Sequence, residues 1–150
     1  MSEVEEFLDE MLPRQLAADR ALCRGDASGR AATWSRRDPV TLFGAAARVR
    51  RGRDAVDAVA RWLAGRFTDV RAFDLELVAA GASGDLAYTV GFEHKTVVVD
   101  GSPATYTLRV THVYRREDGE WRIVHRHGDH PPTTDRAPDA APAGGAPAAG

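Results

Sequence analysis

The segment from Tyr106 to His130, YTLRVTHVYRREDGEWRIVHRHGDH, constrains the fold more than any other part of the chain. Leu108, Val110, His112 and Tyr114 alternate with Arg109, Thr111, Val113 and Arg115. Past Glu117-Asp118-Gly119, a second alternation sets Trp121, Ile123, His125 and His127 against Arg122, Val124, Arg126 and Gly128. Asp-Gly between two period-2 runs is a strong hairpin signal, so two long antiparallel strands are expected. Four of the chain's five histidines lie in this segment. A hairpin that only filled a core would give its inward positions to aliphatic residues. At least one face of this one carries imidazole and guanidinium groups, as a polar pocket or an interface would.

Upstream, Val4, Phe7, Leu8, Met11, Leu12, Leu16, Arg20 and Cys23 follow helical spacing, with Pro13 expected to interrupt or kink the helix. Ser28 can cap a short second helix to about Trp34, and Val40 to Phe43 reads as a short strand after Asp38-Pro39. Asp54 to Phe67 is the clearest amphipathic helix, with Val56, Val59, Ala60, Leu63 and Phe67 on one stripe. From Val70 the period changes to two, predicting strands near 70–80, 86–99, 104–116 and 120–128. Ala82-Ser83-Gly84-Asp85 and Asp100-Gly101-Ser102-Pro103 supply the turns. Three helical segments before a four-stranded antiparallel meander give an α+β domain, with the helices covering one face of a curved sheet. The domain is expected over 1–130. Pro131 to Gly150, with fifteen Pro, Ala or Gly residues in twenty, reads as a disordered tail that cannot offset its ordering entropy by burial.

Several function classes are disfavoured by composition. The chain has 150 residues and a formal net charge of −2, so no nucleic-acid partner is expected. The basic run Arg48-Val49-Arg50-Arg51-Gly52-Arg53 reads as a solvated loop. The single cysteine, Cys23, rules out an internal disulfide and reads as a small core hydrophobe. The acidic MSEVEEFLDEM start lacks the form of a signal peptide, and no apolar run is long enough to span a membrane; the expected location is the cytoplasm. No phosphate-binding glycine loop or Gly-x-Ser-x-Gly elbow occurs, and no cofactor is expected. His125-x-His127 is too sparse a set to predict a metal site.

The order of helices, WSRRDPVTLFG, GRDAVDAVARWLAGRF and the closing VTHVYRREDGEWRIVHRH resembles the nuclear transport factor 2-like superfamily, in its SnoaL-like and ketosteroid-isomerase-like branch. The resemblance covers everything except the tail. It implies a cone-shaped α+β barrel with a pocket between sheet and helices. In ketosteroid isomerases a catalytic aspartate precedes a proline at the start of the first strand, and Asp38-Pro39 matches that pattern. The family's oxyanion-stabilising aspartic acid maps onto His112. Its helix-1 tyrosine maps near Ala18, a departure that argues against steroid isomerisation by the familiar mechanism. The fold hosts enzymes, binding proteins and oligomerisation domains, so it does not itself assign a function.

On this register Asp38 is the expected proton-abstracting base, with His112 and Arg126 stabilising an oxyanion. Arg126 and Gly128 face inward, and a guanidinium there needs a carboxylate partner, Asp38 or Asp129, or an anionic ligand. Tyr88, Val90, Phe92 and His94 form the expected apolar wall, with Val110, Tyr114 and His130 also lining the pocket and Trp34 and Phe43 closing its mouth. Trp121, Ile123, His125 and His127 then share the opposite face, expected to be a homodimer interface. The first expectation is a cofactor-independent isomerase, cyclase or dehydratase acting on an apolar carbonyl compound. The alternative is a non-catalytic ligand-binding or dimerisation module. Asp38 and His112 facing one open cavity favours chemistry; a filled cone favours the module.

Overall fold

Tight Asp-Gly turns set the register of the sheet. In the computed structural model, which describes residues 1–139, Asp100-Gly101 has φ of 51° and 80° and Asp118-Gly119 has 52° and 80°. Two consecutive positive φ values make the type I′ turn, whose twist matches the strands it joins. Along the chain the elements are α1 (Glu3–Leu22), α2 (Ser28–Thr33), β1 (Thr41–Phe43), β2 (Arg50–Arg51), α3 (Arg53–Arg66), β3 (Phe67–Ser83), β4 (Leu86–Val99), β5 (Ser102–Glu117) and β6 (Glu120–Asp129). All strands form one sheet of order β2-β1-β6-β5-β4-β3. Strands β3 to β6 are the expected antiparallel meander, and β1 adds to β6 in parallel. Three register shifts in β3, at Thr68, Arg71 and Val78, curl the sheet around the helices. The result is the expected cone of helices on a curved, mainly antiparallel sheet.

Helix α1 begins with a reciprocal capping box between Ser2 and Glu5 and buries Phe7, Met11, Gln15, Ala18 and Leu22 on one side. Contrary to the expected interruption, α1 runs through Pro13 unbroken; Pro13 sits on the solvent side. Phe7 is fully buried and meets Tyr114 and Trp121 edge-on, at 4.8 and 5.0 Å between ring centroids. Around them lie Met11, Trp34, Val40, Leu42, Val56 and Ile123, which form the main core. Helix α3 contributes Val56 and Val59 to it, on the expected stripe. The basic run is only partly a solvated loop. Arg50 and Arg51 are exposed, but the Arg53 guanidinium donates to the carbonyls of Ala31, Trp34 and Ser35 and ties α3 to α2 and the residues that follow it.

Strand β6 changes face partway. Tyr114 pairs with Ile123 and Val113 with His125, so Val124 has no partner on β5. This one-residue bulge lets Trp121 and Ile123 face the core before it, while Arg126 and Gly128 face inward after it. The expectation that Trp121 and Ile123 share an outer face with His125 and His127 is therefore corrected. Trp121 and Ile123 are 3 % and 2 % exposed in the core, and only the two histidines point outward. No helix among the described residues is long and apolar enough to cross a membrane. The Pro/Ala/Gly-rich tail has no helix or strand over 131–139, and its remainder, 140–150, lies outside the described residues.

Candidate functional site

Between α3, the segment after β1 and the inner sheet face lies a cavity of about 380 Å³. Leu22, Leu42, Val59, Leu63, Phe67 and Leu108 give it apolar walls, and the small residues Gly44 to Ala47 form one rim. Its volume is at the small end of the range for small-molecule sites. The charged side chains that line it are Arg30, Arg66, Lys95 and Arg126; Tyr106 and His130 add a phenol and an imidazole, with ring centroids 5.8 Å apart.

Behind the lining is a buried ionic cluster. Arg126 donates Nη1 to Glu93 Oε2 at 2.7 Å and Nη2 to Oε1 at 2.9 Å, a bidentate pair with side chains 6 % and 1 % exposed. Lys95 Nζ sits 3.1 Å from the same Glu93 Oε1. Burial alone would raise the Glu93 pKa, but the Arg126 and Lys95 charges overcome it and hold the carboxyl well below its ordinary range. Asp19, from α1, faces Arg30, from α2, with Oδ1 3.8 Å from Nε, too long for a hydrogen bond. Burial, and then the nearby Glu93 charge, pushes the Asp19 carboxyl up.

His112 is 2 % exposed, with Nε2 3.2 Å from Arg126 Nη1. Burial and the adjacent Arg126 charge push it well below the ordinary imidazole value. Its neutral Nε2 can therefore accept from Arg126, which places it behind the guanidinium and not on the cavity wall. Tyr114 is also fully buried; its hydroxyl donates to Gln15 Oε1 and meets Thr89 Oγ1 at 3.1 Å. Val110 faces inward and is buried, but does not line the cavity.

Of the residues expected at the site, only Arg126 and His130 line this cavity. Asp38, placed there by the Asp-Pro pattern, is exposed, and its Oδ1 accepts from the Arg53 amide at 3.1 Å at the start of α3. The Arg126 counterion is Glu93, in place of the expected Asp38 or Asp129; Asp129 instead pairs with Arg109 on the outer side. Trp34 is a core residue, 2 % exposed, and does not close a mouth. Phe43 is 43 % exposed on the outer face, edge-on to His125 and His127.

The expected apolar wall of β4 lies on the wrong side. Tyr88 is 46 % exposed, Val90 and Phe92 line a shallow outer trough, and His94 bonds Thr107 and Glu76 out there. The inner face of β4 belongs to Ala87, Thr89, Gly91, Glu93 and Lys95. Hydrophobicity misassigned this strand because its buried face is the more polar one. The turn register held the correct answer. Asp100-Gly101 pairs Val99 with Ser102, which sets Glu93 opposite Leu108 and Thr89 opposite His112. Directly opposed residues project to the same side, so the inward reading of Leu108 and His112 already required Glu93 and Thr89 inside. Among the described residues no group of three or more His, Cys, Asp or Glu side chains is placed to hold a metal ion.

Solved structures share this architecture. A nuclear transport factor 2-like superfamily protein from Salmonella enterica is 19 % identical, with 88 % of this chain and 93 % of that one covered at a TM-score of 0.70. A candidate calcium/calmodulin-dependent protein kinase type II association domain from Thiobacillus denitrificans is 25 % identical, with 82 % and 96 % covered at 0.70. A candidate dehydratase of the same superfamily from Streptomyces avermitilis is 17 % identical, with 84 % and 97 % covered at 0.65. No curated protein matches the sequence. The family model described as a SnoaL-like domain matches residues 17–132, from the middle of α1 to just beyond β6. The chain belongs to the SnoaL-like family of the nuclear transport factor 2-like superfamily.

Proposed function

We propose that the protein binds a small, apolar, carbonyl-bearing molecule in the cavity beneath α3, with Arg126 donating to the ligand oxygen. The observation that carries this reading is an open cavity with aliphatic walls and a guanidinium at its base. The placement of Asp38, His112 and Arg126 does not favour a proton-transfer role for the trio. Asp38 is at the surface, and the lowered His112 stands behind Arg126. Glu93, the carboxylate beside the cavity, is occupied by two cations. Binding without the isomerase, cyclase or dehydratase chemistry drawn from the family is therefore the preferred function.

Calorimetry and thermal unfolding with a panel of cyclic ketones test it. A ligand at about one hundred times its Kd stabilises the native state by about 2.7 kcal/mol. Ala104→Trp, which places an indole in the cavity, should abolish that gain. Asp38→Ala should leave ligand affinity within about twofold, since its expected effect is the loss of about 0.3–1 kcal/mol of helix-terminus stabilisation. Ligand binding that survives Ala104→Trp, or is lost in a folded Asp38→Ala protein, overturns the assignment.

For the outer sheet face we propose a second copy of the chain. Phe43, Val78 and Tyr88 are 43 %, 58 % and 46 % exposed, and Val90 and Phe92 lie between them. The same face carries Glu76 and Asp129 together with Arg109 and His94. Both signs on one apolar patch suit a two-fold contact in which a surface meets itself.

A further inference from the structure

The cavity has charges of one sign. Arg30, Arg66, Lys95 and Arg126 line it, and among the described residues no carboxylate does. Within the buried cluster, Arg30, Lys95 and Arg126 face Glu93 and Asp19 only, so three cations meet two carboxylates and one positive charge is left over. Asp19 is a weak counterion. Its oxygen is 3.8 Å from Arg30 Nε, beyond hydrogen-bond distance. Arg30, 8 % exposed, lines the cavity wall, and its guanidinium donates no hydrogen bond to any described residue at shorter range. An uncompensated cation this deep is unfavourable unless an anion reaches it, and the open side of Arg30 is the cavity.

We propose that the cavity is a receptor for a small apolar monocarboxylate, whose head group supplies the missing negative charge between Arg30, Arg126 and Lys95 while its hydrocarbon body lies along Val59, Leu63, Phe67 and Leu108. This rests on the binding reading above and sharpens it from a carbonyl compound to an acid. Arg30 offers a planar fork of donors that matches a carboxylate, while Arg126, already bidentate to Glu93, and Lys95 add positive charge beside it. Three cations against two carboxylates leave one charge, which a monoanion matches and a dianion exceeds. A neutral ketone or amide fills the same volume but leaves the cluster cationic.

The test uses matched probes on the full-length chain: octanoate with octanamide, and cyclohexanecarboxylate with cyclohexanecarboxamide, titrated by calorimetry at neutral pH. The acid of each pair should bind at least about tenfold more tightly than its amide. Lys95→Met, which keeps most of the stem and removes the charge, should weaken acid binding about fivefold or more and narrow the acid-to-amide ratio. Arg126→Met leaves Glu93 with Lys95 alone and endangers folding, so the comparison on the unaltered chain carries the test. Acid and amide binding equally would overturn the carboxylate assignment and leave the binding reading standing. No probe of either kind binding would overturn both. An acid preference that Lys95→Met leaves intact would overturn the cation cluster as its source.

Discussion

Changing Glu93 to Gln removes one charge and almost no volume, and it isolates the buried ion pair at the heart of the cone. In the native protein both guanidinium Nη atoms of Arg126 donate to Glu93, at 2.7 and 2.9 Å, with both side chains shielded from water. The amide can accept from only one of them and brings no charge, so Arg126 is left as a buried cation. Breaking such a pair from one side costs about 3–5 kcal/mol, a large part of the roughly 5–15 kcal/mol that holds a domain together. For a chain of this length that corresponds to a fall in Tm of about 6–20 °C. The double variant Glu93→Leu/Arg126→Met should recover at least half of the loss, because neither partner is left charged and Lys95 can turn toward the cavity. Urea unfolding of all three proteins, with equal m-values, measures both quantities. The pH dependence has a defined sign. The folded Glu93 pKa is depressed, so its stabilisation is present above the unfolded value of about 4.3 and is lost as pH falls through the folded one. A loss below about 1 kcal/mol in Glu93→Gln, or a double variant no more stable than Glu93→Gln, would refute the picture of a dry, mutually dependent pair.

Two other expectations address different parts of the molecule. His112 is held neutral when folded, so below pH of about 6.5 only the unfolded chain takes up its proton, and stability falls as pH drops toward the folded value. The slope from this one site is at most about 1.4 kcal/mol per pH unit, and a folded His112→Gln protein should show a flatter profile by that amount; an unchanged profile in urea titrations would exclude His112 as its source. On the outer face, Tyr88→Glu/Phe92→Glu should give a folded monomer by sedimentation, whereas an unaltered dimer mass, or a native chain that is monomeric at micromolar concentration, removes that face as the interface.

The element order, the Asp-Gly hairpins and the α3 stripe were legible because each is a local signal: a turn dipeptide, a period, a run of apolar residues. Burial on β4 was not, because hydrophobicity was a poor guide to a strand whose buried side holds Glu93, Lys95 and Thr89 and whose open side holds Tyr88, Val90 and Phe92. Cross-strand register would have found it. The β6 bulge had no comparable signal. Counting back from the Asp118-Gly119 turn places Trp121 and Ile123 inside with Tyr114, and the family register places Arg126 inside. Both are correct, and strict alternation cannot hold them together; the chain resolves the conflict by leaving Val124 unpaired. Asp38 was misplaced by a two-residue pattern; in this chain it precedes β1, and its side chain turns outward to accept from the Arg53 amide at the start of α3.

That unpaired Val124 divides a single strand into two parts with separate duties. Trp121 and Ile123 before it are tied to Phe7 and the aromatic core, where a change of one methylene is felt; Arg126 and Gly128 after it look into the cavity. A substitution at Gly128 can thus alter what the cone accepts while leaving the packing of Trp121 and Ile123 in register. Ligand preference in this protein is open to redesign, or to drift, along half a strand whose other half keeps the fold.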